Sequence, residues 1–110
     1  MPSQPPPNDK VAGLIAILGE TDTRELVEIF LTSSPTLLGE IASADRTQGE
    51  RAAHSLKSSS RQMGLPEMAQ KMAALEQRLR ESGPAVDAAE QAAIARDFDA
   101  AVKPLRDFVG

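Results

Sequence analysis

The sequence predicts an all-α domain: an antiparallel up-and-down four-helix bundle with a short additional helix at the N-terminus. Good helix formers such as Ala, Leu, Glu, Arg and Gln are abundant, whereas Trp and Tyr are absent and only three Phe occur among 110 residues. Runs typical of strands are therefore missing. Apolar residues recur at the three- and four-residue spacings of amphipathic helices. The connections between these segments are short, which makes neighbouring helices antiparallel.

The N-terminal part of the chain predicts an arm followed by a short helix. Residues 1–7 contain four prolines and are predicted to form a disordered arm. The first helix is predicted over 9–19, with Asn8 or Asp9 as its cap and Gly19 at its end. Its apolar face would consist of Val11, Leu14, Ile15 and Leu18.

The second helix is predicted to begin near Asp22 and to continue to about residue 45. Asp22 and Glu25 have the spacing of a capping box, with Asp in place of the usual Ser or Thr. Pro35 lies inside this helix, so a kink or local break is expected near 33–34. The apolar positions of this helix are Leu26, Ile29, Phe30, Leu37, Leu38 and Ile41.

The third helix has a capping-box pattern at its start, because Thr47 is followed three residues later by Glu50. It is predicted to run to Met63, and Gly64 can close it in the left-handed conformation. Pro66 then suits the first turn of a fourth helix, where its missing N–H does no harm.

The fourth and last helices have regular apolar stripes. Ser82-Gly83-Pro84 separates them, and Pro104 is expected to kink or fray the final turns. The fourth-helix stripe consists of Leu65, Met68, Met72, Leu75 and Leu79, and the last-helix stripe consists of Ile94, Phe98, Ala101, Leu105 and Phe108.

Composition excludes several classes of protein. The chain has no cysteine, so it cannot form disulfides, thiolate nucleophiles or thiolate metal sites. Its net charge of −4 argues against a nucleic-acid binder, which would show a basic face. No apolar run approaches the roughly 18 residues that span a bilayer, so no membrane insertion is expected. The first residues lack the pattern of a secretory signal, and the expected location is the cytoplasm.

The only histidine, His54, lies on the third predicted helix. On a helical wheel with about 100° per residue, Ala52, Leu56, Ser59 and Met63 form the core stripe, and Ala53 and Ser60 flank it. His54 lies about 160° from the centre of that stripe and should project outward. The residues that share its side of the helix are Glu50, Lys57, Ser58 and Arg61.

This arrangement excludes some chemistry. A zinc site needs several ligands, and one histidine cannot supply them; no metal site is expected. The neighbouring serines lie on a regular helix, without the strained turn and oxyanion hole of a serine hydrolase. An exposed helix face also offers no pocket for acid–base catalysis. A neutral imidazole presented to another protein can, however, attack a phosphoryl group, and the basic side chains of Lys57 and Arg61 could offset the charge of its oxygens.

A structural interpretation stands beside the functional one. A single exposed histidine on an alanine-rich helix is usually only a surface residue without a functional role. Met63, Met68 and Met72 are expected to fill the core. Charged residues of the fourth helix, such as Glu76, Arg78 and Arg80, are expected to form a solvated face.

The string Ala53-His54-Ser55-Leu56-Lys57-Ser58-Ser59-Ser60, followed by Met63-Gly64-Leu65 and then by Met68, Met72, Leu75 and Glu76, resembles the signature of histidine-containing phosphotransfer (HPt) domains. The resemblance covers the second to fourth helices. It implies that residues 8–110 form an HPt-like helical bundle domain.

The resemblance also implies a function. Such domains take a phosphoryl group from the aspartate of a receiver domain, hold it on histidine and pass it to another receiver. They have no ATP site and are not kinases. His54 would be the phosphoacceptor, Lys57 the basic neighbour and Gly64 the helix-ending glycine. The partners would be a response-regulator receiver domain, a hybrid histidine kinase or both. No cofactor is expected, with Mg²⁺ only on the partner receiver, and the domain would be a monomer.

Ser58 departs from the family pattern, which usually has glycine at this position. Glycine there would leave room for the phosphoryl group and the partner, whereas serine adds a hydroxymethyl group one turn from His54. The alternative function is therefore a helical adaptor that binds a kinase or receiver without carrying phosphate. A hydrolase that uses His54 and a serine has little support.

Overall fold

The computed structural model describes residues 5–110, and within this range the chain forms helices and no strand. This confirms the predicted all-α class. The six helices are α1 (Asp9–Leu18), α2 (Glu20–Glu40), α3 (Arg46–Gln62), α4 (Pro66–Arg80), α5 (Ala88–Ala101) and α6 (Lys103–Val109). Most of the predicted arm, residues 1–4, lies outside the described residues. None of the helices within 5–110 combines the length and apolar character needed to cross a membrane.

The hairpin of α3 and α4 has the most extensive helix–helix contact in the described chain, and α2 packs against α3. On its other sides α2 contacts α1, α5 and α6. One apolar core joins these helices; in it the rings of Phe30 and Phe98 lie 5.7 Å apart between centroids. Leu56, Met72 and Leu105 are fully buried in the same core. The face of α3 opposite His54 is therefore fixed by packing.

The turn between α3 and α4 confirms the predicted role of Gly64. Its φ is +76°, and the N–H of Leu65 donates to the carbonyl of Ser60 at 2.8 Å, which is the pattern of a Schellman motif. Asn8 caps α1 by accepting from the N–H of Val11 at 2.9 Å. Its side-chain amide also donates to the carbonyl of Met63 at 2.9 Å. Asn8 therefore anchors the start of α1 to the end of α3.

The second helix differs from its prediction at both ends. It begins at Glu20 after Gly19, with no side-chain cap, so the predicted Asp22–Glu25 capping box is wrong; it ends at Glu40, not near 45. Gly19 has a φ of +85° and separates α1 from α2, which confirms the predicted end of the first helix.

No local break occurs near Pro35, because α2 continues without interruption across this residue; the kink expected there stays a prediction. Pro35 is exposed, while the neighbouring Ser34 and Leu38 are buried. Packing of the buried face thus outweighs the loss of one backbone hydrogen bond. Ile29, predicted on the apolar face, is 60% exposed, because Val27 and Phe30 occupy the buried side.

The predicted capping box of the third helix is wrong as well. The helix begins earlier, at Arg46, and Asp45 caps it. The carboxylate of Asp45 accepts from the N–H of Thr47 at 3.0 Å and of Gln48 at 3.3 Å. A carboxylate at this position also favours the positive end of the helix dipole. Glu50 is thereby free to bond elsewhere.

The C-terminal segment is two helices. The helical pattern breaks at Val102, and α6 begins with Pro104 in its first turn. This agrees with the kink predicted at Pro104. Leu105 and Phe108 are both buried. The short helix α6 therefore turns its apolar side toward α2.

Candidate functional site

The helix α3 holds His54 on its solvent side. The side chain of His54 is 60% exposed, whereas Ala53, Leu56 and Ser60 are fully buried. This confirms the outward projection predicted from the helical wheel. The buried stripe is shifted slightly from the prediction, because Ser59 is only partly buried, whereas Ser60, predicted to flank the stripe, is buried.

A buried carboxylate on α4 lies directly behind the imidazole. Glu76 is 5% exposed, and its Oε2 lies 2.8 Å from Nδ1 of His54. The ammonium of Lys57 donates to Oε1 of Glu76 at 2.6 Å. The guanidinium of Arg80, one turn further along α4, donates to Oε2 at 2.9 Å. Three basic side chains therefore converge on one carboxylate.

The expectation that the charged residues of α4 form a solvated face is wrong for Glu76. Arg78 forms a bidentate ion pair with Glu90, with hydrogen bonds of 2.7 and 2.8 Å, and this pair links α4 to α5. The sequence did contain a signal: Met68, Met72 and Glu76 follow one another at intervals of four. This places Glu76 on the same line of the helix as two core residues.

The ionised carboxylate of Glu76 selects one tautomer of the neutral imidazole. The hydrogen bond from Lys57 lowers the pKa of Glu76 below its ordinary 4.5, against the opposing effect of burial, and the hydrogen bond to His54 adds to the lowering. The carboxylate is thus ionised at neutral pH and can only accept hydrogen bonds. The proton of a neutral His54 ring must then reside on Nδ1, with the lone pair on Nε2. Within residues 5–110, Nε2 has no hydrogen-bond partner.

Arg80 extends the cluster to Glu50. Its Nε donates to Oε1 of Glu50 at 2.9 Å, and this hydrogen bond is the main reason why the pKa of Arg80 is raised. The sequence prediction placed Glu50 on the histidine side of α3 but did not foresee this contact. Glu50 is connected to His54 indirectly, through Arg80 and Glu76.

The other predicted site residues lie in two different settings. Lys57 is turned toward Glu76, and 18% of its side chain is exposed. Ser58 and Arg61 are exposed on the outer surface of α3, and neither forms a side-chain hydrogen bond within the described range. Gly64 ends the helix as described above. The structure thus brings Lys57 and Glu50 into one network with His54 and leaves Ser58 and Arg61 facing solvent.

A shallow groove of about 440 Å³ opens beside the imidazole between α3 and α4. This corrects the expectation that the exposed face offers no pocket. The groove is lined by Thr47, Glu50, Arg51, His54, Ser55, Glu76 and Arg80. Within 5–110 no group of three or more His, Cys, Asp or Glu side chains is placed to hold a metal ion.

The fold and the site define a helical module that presents an oriented imidazole to solvent. A family model, the Hpt domain, matches residues 25–104, and the chain therefore belongs to the Hpt domain family. Members of this family are phosphocarrier modules of two-component signalling and are not kinases. Neither the curated proteins nor the solved structures gave a significant match to the chain.

Proposed function

We propose that His54 is the phosphoacceptor of a two-component phosphorelay, which takes a phosphoryl group from a receiver-domain aspartate and passes it to another receiver. The observation that carries this proposal is the contact between Nδ1 of His54 and the carboxylate of Glu76. The side chain of His54 is otherwise largely exposed. The contact leaves Nε2 as the nucleophile and directs it toward solvent, where a partner can approach.

The transfer step needs only His54 and the phosphorylated aspartate of the partner. The Nε2 lone pair of His54 forms a bond to phosphorus while the bond from phosphorus to the aspartyl oxygen breaks. The electron pair of that bond remains with the aspartate carboxylate of the partner. The ring keeps its Nδ1 proton and becomes positively charged. Glu76 already accepts a hydrogen bond from that proton, so it stabilises the positive charge as it develops.

Lys57 has a supporting role in this proposal. Its bond to Glu76 keeps the carboxylate ionised and in place behind the ring, which maintains the reactive tautomer. Arg80 does the same from the α4 side. Ser58 is small and exposed, so it leaves the approach to His54 open.

The remaining elements of the proposal follow from the family. The partners are a response-regulator receiver domain, a hybrid histidine kinase or both, and Mg²⁺ is bound by the receiver and not by this chain. Residues 8–110 act as one HPt-like bundle domain, in which the long helices have the antiparallel up-and-down arrangement. The domain works as a monomer in the cytoplasm.

The test is phosphotransfer from a receiver domain phosphorylated with acetyl phosphate. Wild-type protein is expected to acquire an acid-labile, base-stable label, and His54→Gln is expected to abolish it. Gln70→Ala, at an exposed site on α4, is the control and should retain the label. Equal labelling of the His54→Gln protein would contradict the proposal. Binding of the receiver that is unchanged by His54→Ala, with no label from any donor, would instead identify the non-phosphorylated adaptor.

A further inference from the structure

The positive charges around His54 fall into two groups. Lys57 and Arg80 are neutralised by carboxylates, since they bond Glu76 and Glu50. Arg51 is exposed on α3 and forms no ion pair with any residue in 5–110. It therefore adds uncompensated positive charge beside His54, on a chain whose net charge is −4.

Arg51 is placed to act on a partner that approaches the imidazole. It precedes His54 by three residues, so the two side chains are neighbours on the surface of α3. Both line the groove described above. The nearest carboxylate along the chain, that of Glu50, is held by Arg80 at 2.9 Å. Arg61 is also exposed, but it lines a different groove that contains Asp9 as well as Lys10.

We infer that Arg51 is a docking residue that binds the acidic rim of a receiver domain's phosphorylation site. This inference rests on the proposed function. A receiver that holds Mg²⁺ must supply carboxylates around it, and a guanidinium pairs with carboxylates through two parallel hydrogen bonds. An exposed positive charge that faces such an acidic rim accelerates association of the two proteins and makes the association rate sensitive to salt. Arg51 thus guides the receiver to His54, whereas Lys57 and Arg80 position the ring.

The experiment compares Arg51→Glu with Arg96→Glu. Arg96 is exposed on α5 and also lacks an ion pair within the described part of the chain, so its reversal changes the net charge equally but away from His54. The second-order rate of phosphoryl transfer is measured at low and high salt, with a receiver domain phosphorylated by acetyl phosphate. Labelling by phosphoramidate, a small donor that needs no docking surface, is measured in parallel.

Arg51→Glu is expected to slow transfer from the receiver at low salt by at least about fivefold and to reduce its salt dependence. Arg96→Glu should change the rate far less, and labelling by phosphoramidate should be the same for both variants and wild type. Equal receiver rates for the two variants would overturn the inference, as would a loss of phosphoramidate labelling in Arg51→Glu, which would place Arg51 in the chemistry of the ring. If wild-type protein takes no label from either donor, the proposed function itself fails.

Discussion

Nδ1 of His54 and Oε2 of Glu76 lie 2.8 Å apart, across the interface of α3 and α4. The histidine is largely exposed and the glutamate is almost completely buried. A solvent-facing imidazole is thus oriented by a carboxylate that solvent barely reaches. This contact explains how a largely exposed histidine can have a fixed tautomer.

Replacement of Glu76 by glutamine tests the role of the negative charge. The amide oxygen of Glu76→Gln can still accept a hydrogen bond from the Nδ1–H group of His54, but the bond is no longer charge-assisted. We expect phosphoryl acceptance by His54 to slow about 3- to 10-fold, because a charged partner adds about 1 kcal/mol to a hydrogen bond. Initial labelling rates from a phosphorylated receiver measure this effect. Glu67→Gln, at an exposed position of the same helix, is the control, and an equal loss of rate there would refute the assignment.

The same carboxylate should make stability depend on pH. The pKa of Glu76 is lowered in the folded protein, mainly by Lys57, so its stabilising contribution is complete above the ordinary value of 4.5 and is lost as the pH falls through the lowered value. The difference in unfolding free energy between wild type and Glu76→Gln should therefore be largest near neutral pH and shrink in acid. Urea titrations across this range measure it. Arg78 lowers the pKa of Glu90 as well, but that effect is common to both proteins and cancels. A difference that grows in acid would contradict this prediction.

Gly64→Ala should destabilise the protein for two reasons. Its φ of +76° is costly for alanine, and a Cβ at this position would overlap the side chain of Asn8. We expect a loss of about 2–3 kcal/mol in the free energy of unfolding, from the left-handed backbone and the disturbed cap. Gly13→Ala is the matched control, since Gly13 lies within α1 and its added Cβ meets no atom within 4 Å. That variant should gain about 0.5–1 kcal/mol, and denaturant unfolding should show opposite signs for the two.

The buried serines Ser60 and Ser34 should respond differently to replacement by alanine. The hydroxyl of Ser60 is buried without a hydrogen-bond partner in the described structure, so Ser60→Ala should be neutral or stabilising by about 1 kcal/mol. The hydroxyl of Ser34 donates to the carbonyl of Phe30 at 2.6 Å, and Ser34→Ala should cost about 1 kcal/mol. Thermal and urea unfolding can rank the two variants. A larger loss from Ser60→Ala than from Ser34→Ala would be the contrary result.

Local sequence signals predicted several features correctly. Gly64 and Pro66 end one helix and begin the next through their own backbone preferences, which require no knowledge of distant residues. Helix ends without such residues were less predictable. Asp45 caps α3, and Thr47 does not. Both side chains can accept a hydrogen bond from a free backbone N–H, so the identity of the cap depends on the residue at which the helix begins.

From the sequence alone we could predict the all-α class, the helical context of the HPt-like motif and the outward projection of His54, because these depend on composition and on periodicity within single helices. The group that lies behind the imidazole depends on how the helices pack. Glu76 follows His54 by 22 residues in the chain, and its burial beside Lys57 and Arg80 results from the packing of α3 against α4. A charged residue on a helical wheel appears solvated until a neighbouring helix removes the solvent and supplies the counter-charges. The histidine was therefore evident in the sequence, whereas the spacing of Glu76 from Met68 and Met72 indicated a buried position but not its contact with His54.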